Sequence, residues 1–143
     1  MQVLRAIDTE PAALVGWGVR VMVLSPDGGE SRTIERIAGL GGRVEVESDL
    51  YTAVETLNDD ATGYGLFVME CDGFGGLEAG ARAVAMMGRA VERMPVILVS
   101  SEVAVQTFPE THAPVLLRAP LSAVALRVGF EHALRERLIY MAA

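Results

Sequence analysis

Cysteine is almost absent from this chain, with one residue, Cys71, in 143. A single thiol closes no internal disulfide, which excludes a disulfide-stapled scaffold and fits a reducing compartment. Long hydrophobic runs are missing too, as no apolar stretch reaches the roughly 18 residues that a membrane span requires. The first residues, MQVLRAIDTEPAALVGWG, lack the basic start and long apolar core of a secretion signal. A cytoplasmic protein is therefore the expectation. Basic charge is also scarce: 12 Lys+Arg face 19 Asp+Glu, for a net charge of −7. That balance disfavours nucleic acid and anionic membrane as partners, since both demand concentrated positive charge. Repeats, heptads and low-complexity tracts do not occur.

What is present is enough apolar content for a folded domain, at 51% hydrophobic and 22% charged residues. Residues 1–18 read as an N-terminal arm, with Ala12 to Trp17 apolar enough to pack on a surface or dock a partner. From Val19 onward, short apolar runs alternate with helical patterns. Val19–Leu24, Leu66–Met69, Val96–Val99 and Val115–Leu117 lack polar alternation, as strands buried on both faces do. Val44 and Val46 alternate with Arg43, Glu45 and Glu47, which predicts a strand nearer an edge. Helices are predicted after Pro26-Asp27-Gly28 up to Gly41, from a Ser48 or Asp49 cap to Asn58, from Leu77 to Glu92, and from Leu121 to Tyr140. On the third of these, Ala81, Val84, Ala85, Met87 and Val91 are expected to face inward. Residues 102–106 leave room for a short helix at most. The pattern predicts one α/β domain over residues 19–143, a doubly wound five-stranded parallel sheet with helices on both faces.

In such sheets functional groups gather past the carboxyl ends of the strands. Those places hold Ser25-Pro26-Asp27, Glu70 with Asp72, Ser100, and Arg118-Ala119-Pro120. The turn Gly73-Phe74-Gly75-Gly76 matches neither a dinucleotide nor a Walker phosphate loop and reads as a tight strand-to-helix connection. Cys71 stands beside carboxylates, which oppose a thiolate. His112 and His132 have no ligand partners near them in sequence, so neither a metal nor a cofactor is expected.

With five strand–helix units and polar strand ends, residues 19–138 resemble the receiver domain of bacterial two-component response regulators. The resemblance implies an acidic pair after the first strand that holds Mg²⁺, a phosphoacceptor aspartate ending the third strand, a hydroxyl ending the fourth and a Lys-Pro step ending the fifth. Here Ser25-Pro26 replaces the acidic pair, with Asp27 one step along as a single oxygen ligand. Glu70 stands at the acceptor position, Ser100 keeps the switch hydroxyl, and Ala119-Pro120 replaces Lys-Pro, with Arg118 one residue early and expected to point away. Phosphoryl transfer to a carboxylate requires a metal and an ammonium to neutralise the phosphoryl oxygens.

The resemblance therefore implies a non-enzymatic pseudo-receiver in which Glu70 approximates the phosphorylated state. A solvated strand-end carboxylate without a switching role is the plainer reading of Glu70. The alternatives are a phosphorylatable receiver using Asp72 or the Glu70 site, and a flavodoxin-like small-ligand domain. Implied partners are a histidine kinase, a phosphotransferase or another regulator. The last helix carries two apolar stripes, Leu121, Val124, Ala125 and Val128 in one, and Leu126, Phe130, Ala133, Leu134, Leu138 and Met141 in the other. The second, with Leu126, Phe130, Leu134 and Leu138, is expected to serve a homodimer or partner interface. With Ala143 ending the sequence and no output domain after it, output through contact is the expectation.

Overall fold

The computed structural model describes residues 18–28 and 31–142, with side chains described through residue 136. Five short strands form its centre: β1 (Arg20–Leu24), β2 (Arg43–Glu47), β3 (Leu66–Glu70), β4 (Val96–Ser100) and β5 (Val115–Arg118). Around them lie α1 (Arg32–Gly39), α2 (Leu50–Asp59), α3 (Leu77–Met87) and α4 (Ala123–Ala142). All neighbouring strands are parallel, in the order β2-β1-β3-β4-β5. The chain is thus an α/β protein with a doubly wound, flavodoxin-like sheet. No helix among the described residues is long and apolar enough to cross a membrane. The N-terminal arm expected over residues 1–18 lies outside the described residues apart from Gly18.

Period-two alternation splits the strand side chains between two cores. On one face Met22, Leu24, Phe67, Met69 and Leu98 pack against Leu50, Ala53, Val54 and Leu57 of α2 and Ala79, Ala83 and Met87 of α3. On the other, Val21, Val23, Leu66, Val68, Ile97, Val99 and Leu117 meet Ile37 of α1 and Leu126, Phe130, Ala133 and Leu134 of α4. Caps hold the helix starts. Ser31 accepts from the Thr33 amide ahead of α1, and Asp49 accepts from both the amide and the hydroxyl of Thr52 ahead of α2. At the opposite end of the sheet Arg20 joins Glu45 at 2.7 Å and Asp60 at 3.1 Å, and lies over the Tyr64 ring. The Glu45 carboxyl is held below its ordinary range by the Arg20 bond, with the Tyr64 hydroxyl adding to it.

Three features depart from the sequence reading. The α3 helix stops at Met87, not Glu92, because Gly88 takes a positive φ of 55° and a 3₁₀ turn follows. Its buried face is Ala79, Gly80, Ala83 and Met87, while the expected Ala81 and Ala85 are exposed. Between β4 and β5, where residues 102–106 left room for a short helix at most, there is none, so the strand–helix units number four rather than five. Residues 101–114 instead form an extended loop sewn to the sheet. Thr107 pairs antiparallel with Leu116, the Arg118 amide donates to Gln106 Oε1, and a ring nitrogen of His132 lies 2.6 Å from the Pro109 carbonyl.

The third departure concerns α4. Leu126, Phe130 and Leu134, expected at an interface, are 0%, 0% and 1% exposed and fill the core under β4 and β5. Of the other stripe, Val124 at 73% and Val128 at 47% exposure face outward, while Leu121 is partly buried against the same core. Both stripes are apolar, so periodicity marks two candidate faces and the larger side chains take the inner one. The Leu138 side chain lies outside the described residues.

Candidate functional site

The carboxyl ends of β1, β3, β4 and β5 meet on one rim of the sheet, at the point where strand order reverses between β1 and β3. Ser25 continues β1, fully buried, and its hydroxyl accepts from the Asp27 amide at 3.2 Å. That bond closes a tight turn and carries Pro26 over the β3 end. Pro26 approaches Gly73 so closely that any Cβ there would overlap the proline ring, which explains the glycine. Asp27 itself is exposed on the rim.

Glu70 is the last residue of β3 and is half-buried. It borders two adjoining clefts. One is shared with Asp27, Ser31, Arg32, Arg36, Val99, Ala119, Pro120 and Leu121, and the other with Pro26, Asp72, Gly73, Val99 and Ala119. Its Oε1 is shielded from solvent and meets no hydrogen-bond donor among the described residues.

Immediately after Glu70 the strand gives way to a 3₁₀ turn, Cys71–Phe74. This turn swings Asp72 sideways toward β4. The Ser100 hydroxyl donates to Asp72 Oδ1 at 2.5 Å, and the Ser101 amide donates to Asp72 Oδ2 at 2.9 Å. Both bonds favour the charged carboxylate and hold its pKa below the ordinary range, the Ser100 bond most strongly. Ser100, itself fully buried, also accepts from the Glu102 amide at 3.1 Å. Glu102 in turn accepts from the Leu77 amide at 2.8 Å and so caps α3, which has no side-chain cap of its own. A chain of contacts thus runs from Asp72 through Ser100 and Glu102 to the start of α3.

The chain has no lysine, so the cations bordering the clefts are the guanidinium groups of Arg32 and Arg36. Ala119 follows β5 and offers only a methyl group to the clefts. Arg118 points elsewhere: its guanidinium donates to the Val103 carbonyl at 2.9 Å and to the Ala104 carbonyl, fastening the long loop. Arg36 donates to the Leu121 carbonyl at 2.7 Å. Among the described residues no three His, Cys, Asp or Glu side chains converge closely enough to hold a metal ion. Cys71 is wholly buried, and burial, with lesser help from Asp72, pushes its thiol up to about 12.

Of the expected site residues, Glu70, Asp27, Ala119 and Asp72 border the same pair of clefts, Ser100 touches Asp72, and Arg118 is excluded. Ser100–Asp72 contact was not among the expectations, because alternation puts Asp72 above Glu70 only while the strand continues. Gly73, Gly75 and Gly76 in succession are the signal that it does not. Comparisons with family models, with curated proteins and with solved structures found no match.

Proposed function

We propose that this chain is a receiver-like signalling module without phosphoryl transfer, acting through contact with a protein partner in a cytoplasmic, two-component-type pathway. The observation that carries the reading is the bond between Ser100 and Asp72. The hydroxyl assigned to the switch by the receiver resemblance is already held by a carboxylate of the same chain. The role of built-in anion passes from Glu70, where the sequence suggested it, to Asp72.

Three further observations support the reading. The acceptor position carries Glu70 with Ala119 across the cleft, so no ammonium stands ready to neutralise a transferred phosphoryl group. The rim of β1 offers Ser25 and Pro26 in place of an acidic pair, which leaves Asp27 as its one carboxylate for a hard cation such as Mg²⁺. Both oxygens of the rival acceptor Asp72 are engaged.

Incubation of the chain with acetyl phosphate and Mg²⁺, followed by intact mass measurement, tests the proposal. The expected result is an unchanged mass. A stable gain of one phosphoryl group overturns it.

A further inference from the structure

The strand-end cleft bordered by α1 holds charges of both signs that do not pair with one another. Arg32 and Arg36 line it from α1, Asp27 from the turn after β1, and Glu70 from the end of β3. The ion pairs formed by described residues are Arg20 with Glu45 and with Asp60, and Arg135 with Glu131, so none joins these four. Arg36 is held in place by its bond to the Leu121 carbonyl and keeps its remaining N–H donors. Asp27 and Arg32 are exposed. Val99, Ala119, Pro120 and Leu121 add hydrocarbon to the walls. The cleft encloses about 360 Å³, within the roughly 300–1,000 Å³ of small-ligand sites.

A ligand of one sign of charge is opposed there. An anion drawn to the guanidinium groups meets the carboxyl groups of Asp27 and Glu70, and a cation drawn to Asp27 meets Arg32 and Arg36. Guanidinium and carboxyl groups balance in number but stand apart, so a dipolar ion is attracted by both sets at once.

We infer that the cleft seats a free α-amino acid with an apolar side chain. Its carboxylate takes the guanidinium groups of Arg32 and Arg36, whose planar forks match two oxygens. Its ammonium, a compact point charge, takes Asp27. The side chain lies on Val99, Ala119 and Leu121, where removal of apolar surface from water adds to the binding. Glu70 borders the seat, and no contact with its shielded Oε1 is required. The inference goes beyond the contact-module reading, because it gives such a module a small-molecule effector at its rim. With Asp27 and Arg32 open to water, each charged contact counts for less than in a closed site, and the affinity is modest.

The test titrates the ¹⁵N-labelled full chain with L-leucine and three relatives. These are 4-methylpentanoate, which lacks the ammonium, 3-methylbutylamine, which lacks the carboxylate, and glycine, which lacks the apolar side chain. Leucine is expected to give saturable shifts at the amides of Asp27, Arg32, Ala119 and Leu121. Each relative is expected to bind at least about threefold more weakly. Leucine shifts that fail to saturate by about 50 mM, or a relative that binds as tightly, overturn the inference.

Two substitutions at exposed positions leave the fold intact and separate the charges. Asp27→Asn should weaken leucine at least about threefold while strengthening 4-methylpentanoate, whose repulsion it removes. Arg32→Gln should weaken leucine likewise while strengthening 3-methylbutylamine. Leucine binding unchanged in either variant, or analogue affinities that move the opposite way, overturns the inference. A chain that gains a phosphoryl group yet binds leucine in this pattern keeps the amino-acid seat and loses only the contact-module reading.

Discussion

Replacing Ser100 by alanine probes the contact on which the strand-end arrangement turns. The substitution deletes a donor to Asp72 at 2.5 Å and an acceptor for the Glu102 amide at 3.1 Å. A hydrogen bond to a charged partner contributes about 1.5–3 kcal/mol where both groups are dry. Asp72 is exposed, so water replaces much of what it loses, and the contribution falls to about 1 kcal/mol. The Glu102 amide, at an exposed residue, adds about 0.5 kcal/mol. Ser100→Ala should therefore cost about 1.5 kcal/mol near neutral pH and lower Tm by about 5 °C.

The pH dependence has a definite sign. Because the folded chain holds the Asp72 carboxyl below its ordinary value, the stabilisation is complete above that value and fades as pH falls through the depressed one. The difference between wild type and Ser100→Ala should thus be constant from about pH 7 to about pH 5 and shrink below about pH 4. Urea melts followed by circular dichroism across that range measure it. A cost at neutral pH below about 0.5 kcal/mol, or one that is identical above and below the carboxylate range, refutes the reasoning. A double-mutant cycle with Asp72→Asn should return a coupling of about 1 kcal/mol.

Three other outcomes are expected. Phe130→Ala, at a position fully enclosed beneath the sheet, should cost about 3–5 kcal/mol in urea unfolding, while Val124→Ser on the outer face of α4 should change stability by less than about 0.5 kcal/mol. Cys71, buried and with its thiol at about 12, should react with a disulfide reagent at mildly alkaline pH only as fast as the chain unfolds, so its rate should rise with urea alongside the unfolding curve; rapid modification of the native chain contradicts the burial. Gly76→Ala should lower stability by about 1–2 kcal/mol in thermal melts. Gly76 has φ of 85°, and a Cβ there drives Glu102 off the amide it caps.

The sheet was readable because its strands carry their own signal. Leu66–Met69 and Val96–Val99 are uninterrupted and apolar, and the structure extends each by one residue, Glu70 and Ser100. Ser48 and Asp49, short acceptors ahead of an apolar helix, announced the start of α2, and Asp49 is the one that caps it. The loop of residues 101–114 was less legible. Its order comes from Thr107, Gln106 and Pro109 meeting groups on β5 and α4, contacts that no local pattern encodes. The orientation of α4 failed for a related reason, since two apolar stripes on one helix leave the choice of inner face to the sheet it meets. At the rim, sequence located Glu70, Ser100 and Ala119 by strand endings alone. It missed the Ser100–Asp72 bond, which depends on where one strand surrenders to a 3₁₀ turn.

The Thr107–Leu116 pairing also governs how copies of this molecule can meet. An open β5 would offer its backbone to any neighbouring chain, and the antiparallel stitch occupies part of that ladder. The opposite margin, β2, wears Arg43, Glu45 and Glu47, charges that discourage a foreign strand from settling there. With both borders guarded, growth of the sheet from one molecule into the next is disfavoured, and association is left to the helical flanks and the rim.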